Sequence, residues 1–447
     1  MKNLLLLALS TTPAFATDLP YLDADVGCLD SARADRYIRD LNIDIASFGG
    51  KEVCDPQSDA KKILTDIYLI EEGRFNTGGS NLFIKGFVTG NYYDYMKRET
   101  NGMDRKNDIP YASAYNSGGY FTFQDGWAQS STLGRVGTII HEARHTEGYR
   151  HVICSAGPYA GSTVSGCDTS LRQGGSHGVE MEYYARVVVQ GENFHPVYRS
   201  MARLMALGRS NVFFNDSPLR RREALVALEA GTNQALLADG AKLSERASPA
   251  LGGVLKRTSF GAAIFTTLNA WALDLYGTEQ GAAPIKDAYS YFKMLERSDT
   301  APLGLRDLEE FDVANKRYLV GLSNSGALVS YDFPGGKWVS LPTTNLNAQR
   351  LVTATPDGRS GLFVLSTDGS LYPFNPATRR LGTALGVRWP QDTVTLLKAG
   401  DRLLALRTDG SLVELAADGS SQPEAVFAGR ALSQVVTSPL YDAFDVR

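Results

Sequence analysis

The chain has 447 residues, 43% hydrophobic and 21% charged, an ordinary globular composition but longer than one core usually grows, so two folded parts are expected. Its net charge is −4 and no run of lysine and arginine forms a phosphate-tracking stripe, which argues against nucleic acid as a partner. After the first few residues no stretch reaches about 18 uninterrupted apolar positions, so no integral membrane segment is expected.

In chain order, Met1, Lys2 and Asn3 precede an apolar run from Leu4 to Leu9 and small residues ending in Ala14, Phe15, Ala16. This reads as a signal peptide over residues 1–16 with an A-x-A cleavage site, and hence as a secreted or periplasmic protein. Four cysteines, Cys28, Cys54, Cys154 and Cys167, fit disulfides in such a compartment. Of the three pairings, local closure favours Cys28 with Cys54 and Cys154 with Cys167, because closing a longer loop costs more entropy.

Residues 17–216 read as a mixed α+β domain. Ser58–Glu72 places Ile63, Ile67 and Ile70 at helical spacing behind a Ser/Asp cap, and Tyr120–Gln124 alternates like a strand. Asn101–Gly119, rich in Asn, Asp, Gly and Ser, reads as loop. Ser130–Thr146 reads as a helix with Leu133, Val136, Ile139 and Ile140 inward, and further helices are expected over Val179–Val189 and Pro196–Leu207.

Residues 217–447 change texture to an all-β repeat: an apolar strand, a polar turn with Gly, and a second alternating strand. Copies are read at Leu236–Arg246, Thr267–Gly277, Leu322–Asp332, Leu365–Asn375 and Leu406–Ala416. Aligned on Gly240, Asn269, Gly326, Gly369 and Gly410 they are 29, 57, 43 and 41 residues apart. The mean approaches one propeller blade of about 40 to 45 residues, which predicts about five propeller-like blades and an inserted helix at Ile285–Leu295. A three-hairpin sandwich over Phe311–Arg447 is the competing reading. Neither histidine nor cysteine occurs in this half, which points to binding or structure rather than chemistry.

The chemistry concentrates in HEARHTEGYRH, residues 141–151, which hold three of the five histidines. On a helix His141 and His145 lie about 40° apart around the axis and one turn apart in height, so two imidazoles can grip one metal. Glu142 is then placed to reach a metal-bound water as general base. Gly148 can end the helix in a left-handed conformation, letting His151 return as a third nitrogen ligand with a fourth position left open.

His141, Glu142, His145, Gly148 and His151 match every fixed position of H-E-x-x-H-x-x-G-x-x-H, so this segment resembles the metzincin metallopeptidases. The resemblance covers the motif, its helix and the strand Tyr120–Gln124, which precedes the helix as the substrate-aligning edge strand does in that family. It implies a zincin-like metallopeptidase domain, one Zn2+ on His141, His145 and His151, Glu142 polarising the nucleophilic water, and a protein or peptide substrate. The family's methionine turn has only Met181 as a candidate, in a helical-looking stretch. A gluzincin-like rival therefore gives the third ligand to Glu180 or Glu182.

His177 and His195 read as surface residues, with His177 also a candidate for the cleft. Tyr149, Tyr183 and Tyr184 are candidate transition-state donors, and Arg144 and Glu147 read as helix-surface charges. The alternative to a secreted metallopeptidase is a secreted or surface binding protein, with a propeller-like recognition domain and a metal-binding domain that does not turn over. In either case the repeats could engage a surface or protein partner.

Overall fold

The computed structural model describes residues 18–20, 25–109, 112–163, 165–248, 252–265, 270–277, 283–284, 305–335, 337–341 and 346–446. The signal segment 1–16, the helix expected at Ile285–Leu295 and Thr267–Asn269 of the second repeat lie outside them.

The N-terminal half is helical: α1 Ser31–Asp40, α2 Asp59–Glu72, α3 Tyr92–Glu99, α4 Asp125–Ala128, α5 Thr132–Thr146, α6 Ser176–Val189 and α7 Pro196–Phe213. Side chains one turn back cap several starts: Ser58 accepts from Lys61 N, Asn91 from Asp94 N and Ser131 from Gly134 N. α5 is central. Every residue from Thr132 to Arg144 is buried, where periodicity predicts only one inward face. It lies close against α6 because Gly137 has no side chain; a Cβ there would stand 1.9 Å from Tyr184 Oη. The buried pair of Arg135 with Asp66, at 2.8 Å, ties α5 to α2.

Two small sheets flank these helices. β1 Gly102–Arg105, β2 Ala114–Ser117 and β3 Tyr120–Phe123 form one, in the order β1-β3-β2. The segment expected to be loop thus contributes two strands, and β3, expected at an edge, is paired parallel to β1 and antiparallel to β2. With both sides used, its backbone cannot align a substrate. β4 Val152–Ile153, β5 Ser165–Ser170 and β6 Phe214–Asp216 form the second sheet in that order.

Among the described residues the C-terminal half forms five four-stranded antiparallel sheets. Counting from the axis, the first is β26 Leu432–Tyr441, β7 Arg221–Glu229, β8 Ala235–Asp239 and β9 Lys242–Arg246. The second is β10 Val254–Thr258, β11 Gly261–Phe265, β12 Ala270–Ala272 and β13 Ala283–Pro284. The third is β14 Leu305–Val313, β15 Lys316–Ser323, β16 Leu328–Asp332 and β17 Lys337–Ser340. The fourth is β18 Ala348–Ala354, β19 Ser360–Ser366, β20 Leu371–Asn375 and β21 Arg380–Leu381. The fifth is β22 Thr393–Ala399, β23 Arg402–Arg407, β24 Leu412–Leu415 and β25 Ser421–Pro423.

Their first strands neighbour one another in a ring, β10 to β14 to β18 to β22 to β26 and back to β10. This is a five-bladed β-propeller. It closes because β26 pairs with β7 from Leu432 opposite Glu229 to Tyr441 opposite Arg221. A two-sheet sandwich is thereby excluded. The repeat at Leu236–Arg246 is the hairpin β8–β9, one step outward from the β15–β16, β19–β20 and β23–β24 hairpins that carry the clear copies. Its true counterpart is β7–β8.

The expected fold class, an α+β zincin-like domain followed by a separate β repeat, is corrected. Among the described residues strand exceeds helix, 37% against 23%, in many small sheets. One hydrophobic core also runs through both halves, from Leu19, Ile63 and Ile139 to Leu237, Ile264 and Phe444. The halves are joined by Gly157 N to Asn315 O at 2.9 Å, Arg317 Nη1 to Asn211 O at 3.1 Å, and the buried pair of Arg203 with Asp274.

Candidate metal centre

The C-terminal end of α5 carries His141 and His145 on one side. Gly148 then takes φ 90°, the left-handed conformation glycine adopts at little cost, and the chain turns back through His151 into β4. One ligand atom from each of His141, His145 and His151 lies within 4.8 Å of the others, and the Nε2 atoms of His141 and His151 are 3.0 Å apart.

Each of these rings is held from its other nitrogen. His145 Nδ1 faces Tyr149 O and, at 3.1 Å, Ser176 Oγ; His151 Nδ1 faces Asp168 Oδ1 at 3.3 Å; His141 Nδ1 lies 3.5 Å from Glu180 Oε2. Acceptors on Nδ1 fix the tautomer that leaves Nε2 for a metal. Burial keeps the rings neutral: it drives His141 well below the ordinary imidazole value, His145 to about 4, and His151 downward, with neighbouring histidines adding to the effect. Three neutral imidazoles at these separations suit zinc, whose tetrahedral nitrogen ligands stand roughly 3.4 Å from one another.

Asp168, which sequence reasoning missed, organises this cluster. Its Oδ1 meets His151 and its Oδ2 accepts Gly178 N at 3.1 Å, joining the third histidine to the first turn of α6. Burial opposes its charge, yet the hydrogen bond to His151 and the nearby imidazoles bring it to about 2. It directly follows Cys167, and Cys154 lies three residues after His151; these cysteines form one disulfide and Cys28 with Cys54 the other, the pairings that local closure favours. Adjacency to the stapling cysteine was the one available signal.

The rival carboxylates separate. Glu182 accepts from Lys85 N at 2.8 Å and Phe87 N at 3.0 Å and pairs with Arg186, so it faces away from the histidines. Glu180 stands behind them, held at Oε1 by Tyr184 Oη and Arg209, each at 2.8 Å, and it can form an alternative donor group with His141 and His177. His177 is buried, stacked between His151 and Phe213, with Nε2 toward Gly166 O, so the surface reading of His177 is corrected. Arg144 is buried too. It donates to Gly174 O, pairs with Glu147 and lies over the Tyr149 ring, fastening the end of α5 to the turn before α6. Met181 and Tyr183 are core residues of α6, and His195 caps α7 through Val197 N.

Glu142 is enclosed. Its Oε2 is buried with no hydrogen-bond partner among the described residues, and burial together with Glu180 pushes its carboxyl up to about 8.

No protein-family model and no curated protein matches the chain. Among solved structures, it is similar to YCF48 bound to D1 peptide (14% identity, 44% of this chain and 62% of that one, TM-score 0.22). It is also similar to apo AztD from Citrobacter koseri (11%, 50% and 62%, 0.23) and the WD40 β-propeller domain of Doa1 (10%, 47% and 65%, 0.24). Each match spans less than two thirds of the other chain.

The expected metallopeptidase is corrected at this point. The ring of four-stranded sheets in the C-terminal half of this chain favours the expected alternative, a propeller-bearing binding protein. The local geometry agrees: β3 has no free edge, and Glu142 is shut into the packing of α5. A cavity of about 670 Å³ lies on the propeller axis, and no histidine lines it.

Proposed function

We propose that this chain is an exported binding protein, in which the propeller recognises a ligand and the helical half carries one zinc ion that is not used for turnover. The carrying observation is the axial cavity, bounded by the first strands of all five blades and within the roughly 300–1,000 Å³ typical of ligand sites. Two disulfides and no free cysteine among the described residues support an oxidising compartment. Among those residues no helix is long and apolar enough to cross a membrane. His141, His145 and His151 would hold the zinc, with Asp168, Glu180 and Tyr149 O orienting them. The ion would supply a cross-link between α5 and the β4 turn.

The test screens purified chain against a panel of peptides and small metabolites by thermal shift and calorimetry, with zinc content measured by mass spectrometry. Expected are about one zinc per chain, absent from His151→Ala, and saturable ligand binding that Glu142→Gln leaves unchanged. Cleavage of a bound peptide that vanishes in Glu142→Gln, or a screen in which nothing binds, overturns the proposal.

A further inference from the structure

The charges around the axial cavity are unequal in number and in how they are satisfied. Six basic residues line it, Arg221, Lys256, Arg257, Arg306, Arg350 and Lys398, against four acidic ones, Asp307, Glu309, Glu310 and Asp312. The carboxylates are already engaged. Asp307 takes Lys256 Nζ and Leu351 N, both at 2.6 Å, and Glu309 takes the same ammonium at 2.6 Å. Glu310 accepts Ser259 N at 2.7 Å and pairs with Arg317, which also holds Asp312 at 3.0 Å. Arg221 and Arg257 both reach Glu223.

Arg306, Arg350 and Lys398 are left without a carboxylate within ion-pair distance among the described residues. Arg306 donates to the backbone oxygen of Ala348. Arg350 is the more telling, because its Nε is buried and has no hydrogen-bond partner among the described residues, while its guanidinium lies 4.7 Å over the Trp389 ring. A guanidinium without hydrogen-bond partners is poorly satisfied, and an anion in the cavity that Arg350 lines would supply acceptors to it. The Trp389 ring lies within cation–π reach of this guanidinium, whose planar fork suits two-oxygen recognition of an oxyanion.

We propose that the axial cavity is an anion site, taking a small molecule that bears carboxylate or phosphate groups, with Arg350 as the direct contact. The inference rests on the binding-protein reading and narrows its ligand.

Calorimetric titration of the full chain with citrate, with inorganic phosphate and with glucose as neutral control, at physiological salt, tests it. Expected is saturable binding of citrate or phosphate but not glucose, and the better of the two anions identifies the oxyanion. Arg350→Met should weaken that binding about 10- to 100-fold, the value of a lost charged hydrogen bond. Arg350→Lys should fall between, and melting curves should confirm that both variants fold. If Arg350→Met fails to fold, Arg306→Met takes its place and should also weaken anion binding. Anion binding unchanged in the arginine variants, or neutral ligands binding where anions do not, overturns the anion assignment and leaves the propeller as a binding module. Absence of any ligand overturns both.

Discussion

Asp168 spans two elements, one oxygen on the His151 ring and the other on the amide of Gly178, so its charge acts on the position of the nitrogen that His151 turns toward His141. Protons compete for the same imidazoles. His145 is lowered in the fold from 6.5 to about 4, so the neutral ring is favoured in the folded state. Its contribution to stability is complete above 6.5 and is lost as pH falls from there toward about 4. Zinc competes with protons on the folded rings, so its release should come as pH falls toward about 4. Loss of an outer partner typically costs 10–100-fold in metal affinity, so Asp168→Asn should weaken zinc by about that factor and shift half-release to higher pH. A chelator-dye titration of both proteins against pH checks this, and identical release curves would refute it. His141 and His145 were legible because a helix dictates their geometry, and His151 because a left-handed turn at Gly148 can bring the chain back to them. Asp168 was not, because its role depends on a strand partner brought alongside by folding, and Arg144 was misread because its helix is buried on every side.

At the scale of elements, the disulfide between Cys154 and Cys167 closes a segment of separation 13 whose two ends carry His151 and Asp168. Replacing both cysteines by serine should cost about 3 kcal/mol from the freed loop. It should also lower zinc affinity, because His151 and Asp168 would no longer be held together. The pair Cys28→Ser with Cys54→Ser, which removes a bridge of separation 26 elsewhere, should lower the melting temperature and leave zinc affinity alone. Melting curves and zinc titrations of both double variants separate the effects. Equal zinc affinities in the two would show that the bridge merely stabilises. The same scale explains the misplaced first repeat. The β7–β8 turn lacks the Asp-Gly-Ser signal of Thr367–Ser370 and Thr408–Ser411, so the next hairpin outward, with Asp239–Gly240, was read in its place.

For the whole molecule, about five blades could be read from the recurring turns although the first copy lay one hairpin out of place, but the closure could not, since no local pattern announces that β26 belongs beside β7. The link is long: Ser433 Oγ reaches Leu228 O across 205 positions of chain. Leu432, Val435, Leu440 and Tyr441 are buried in forming it. At about 1.5–3 kcal/mol for each large apolar side chain, their loss is comparable to the roughly 5–15 kcal/mol that holds a typical protein folded. Removing residues from Leu432 onward should therefore abolish cooperative melting of the propeller and drive self-association, read by calorimetry and size-exclusion chromatography. A monomer that melts as the full chain does would count against the ring.

That closure also sets a clock. During synthesis the first blade waits as three strands, β7 presenting an unpaired edge, until the chain beyond the fifth blade has emerged. The ring therefore cannot assemble blade by blade to completion. A nascent chain delayed before Leu432 offers its open strand to any neighbour in the same state, so crowded synthesis is where this protein is most exposed to mispairing.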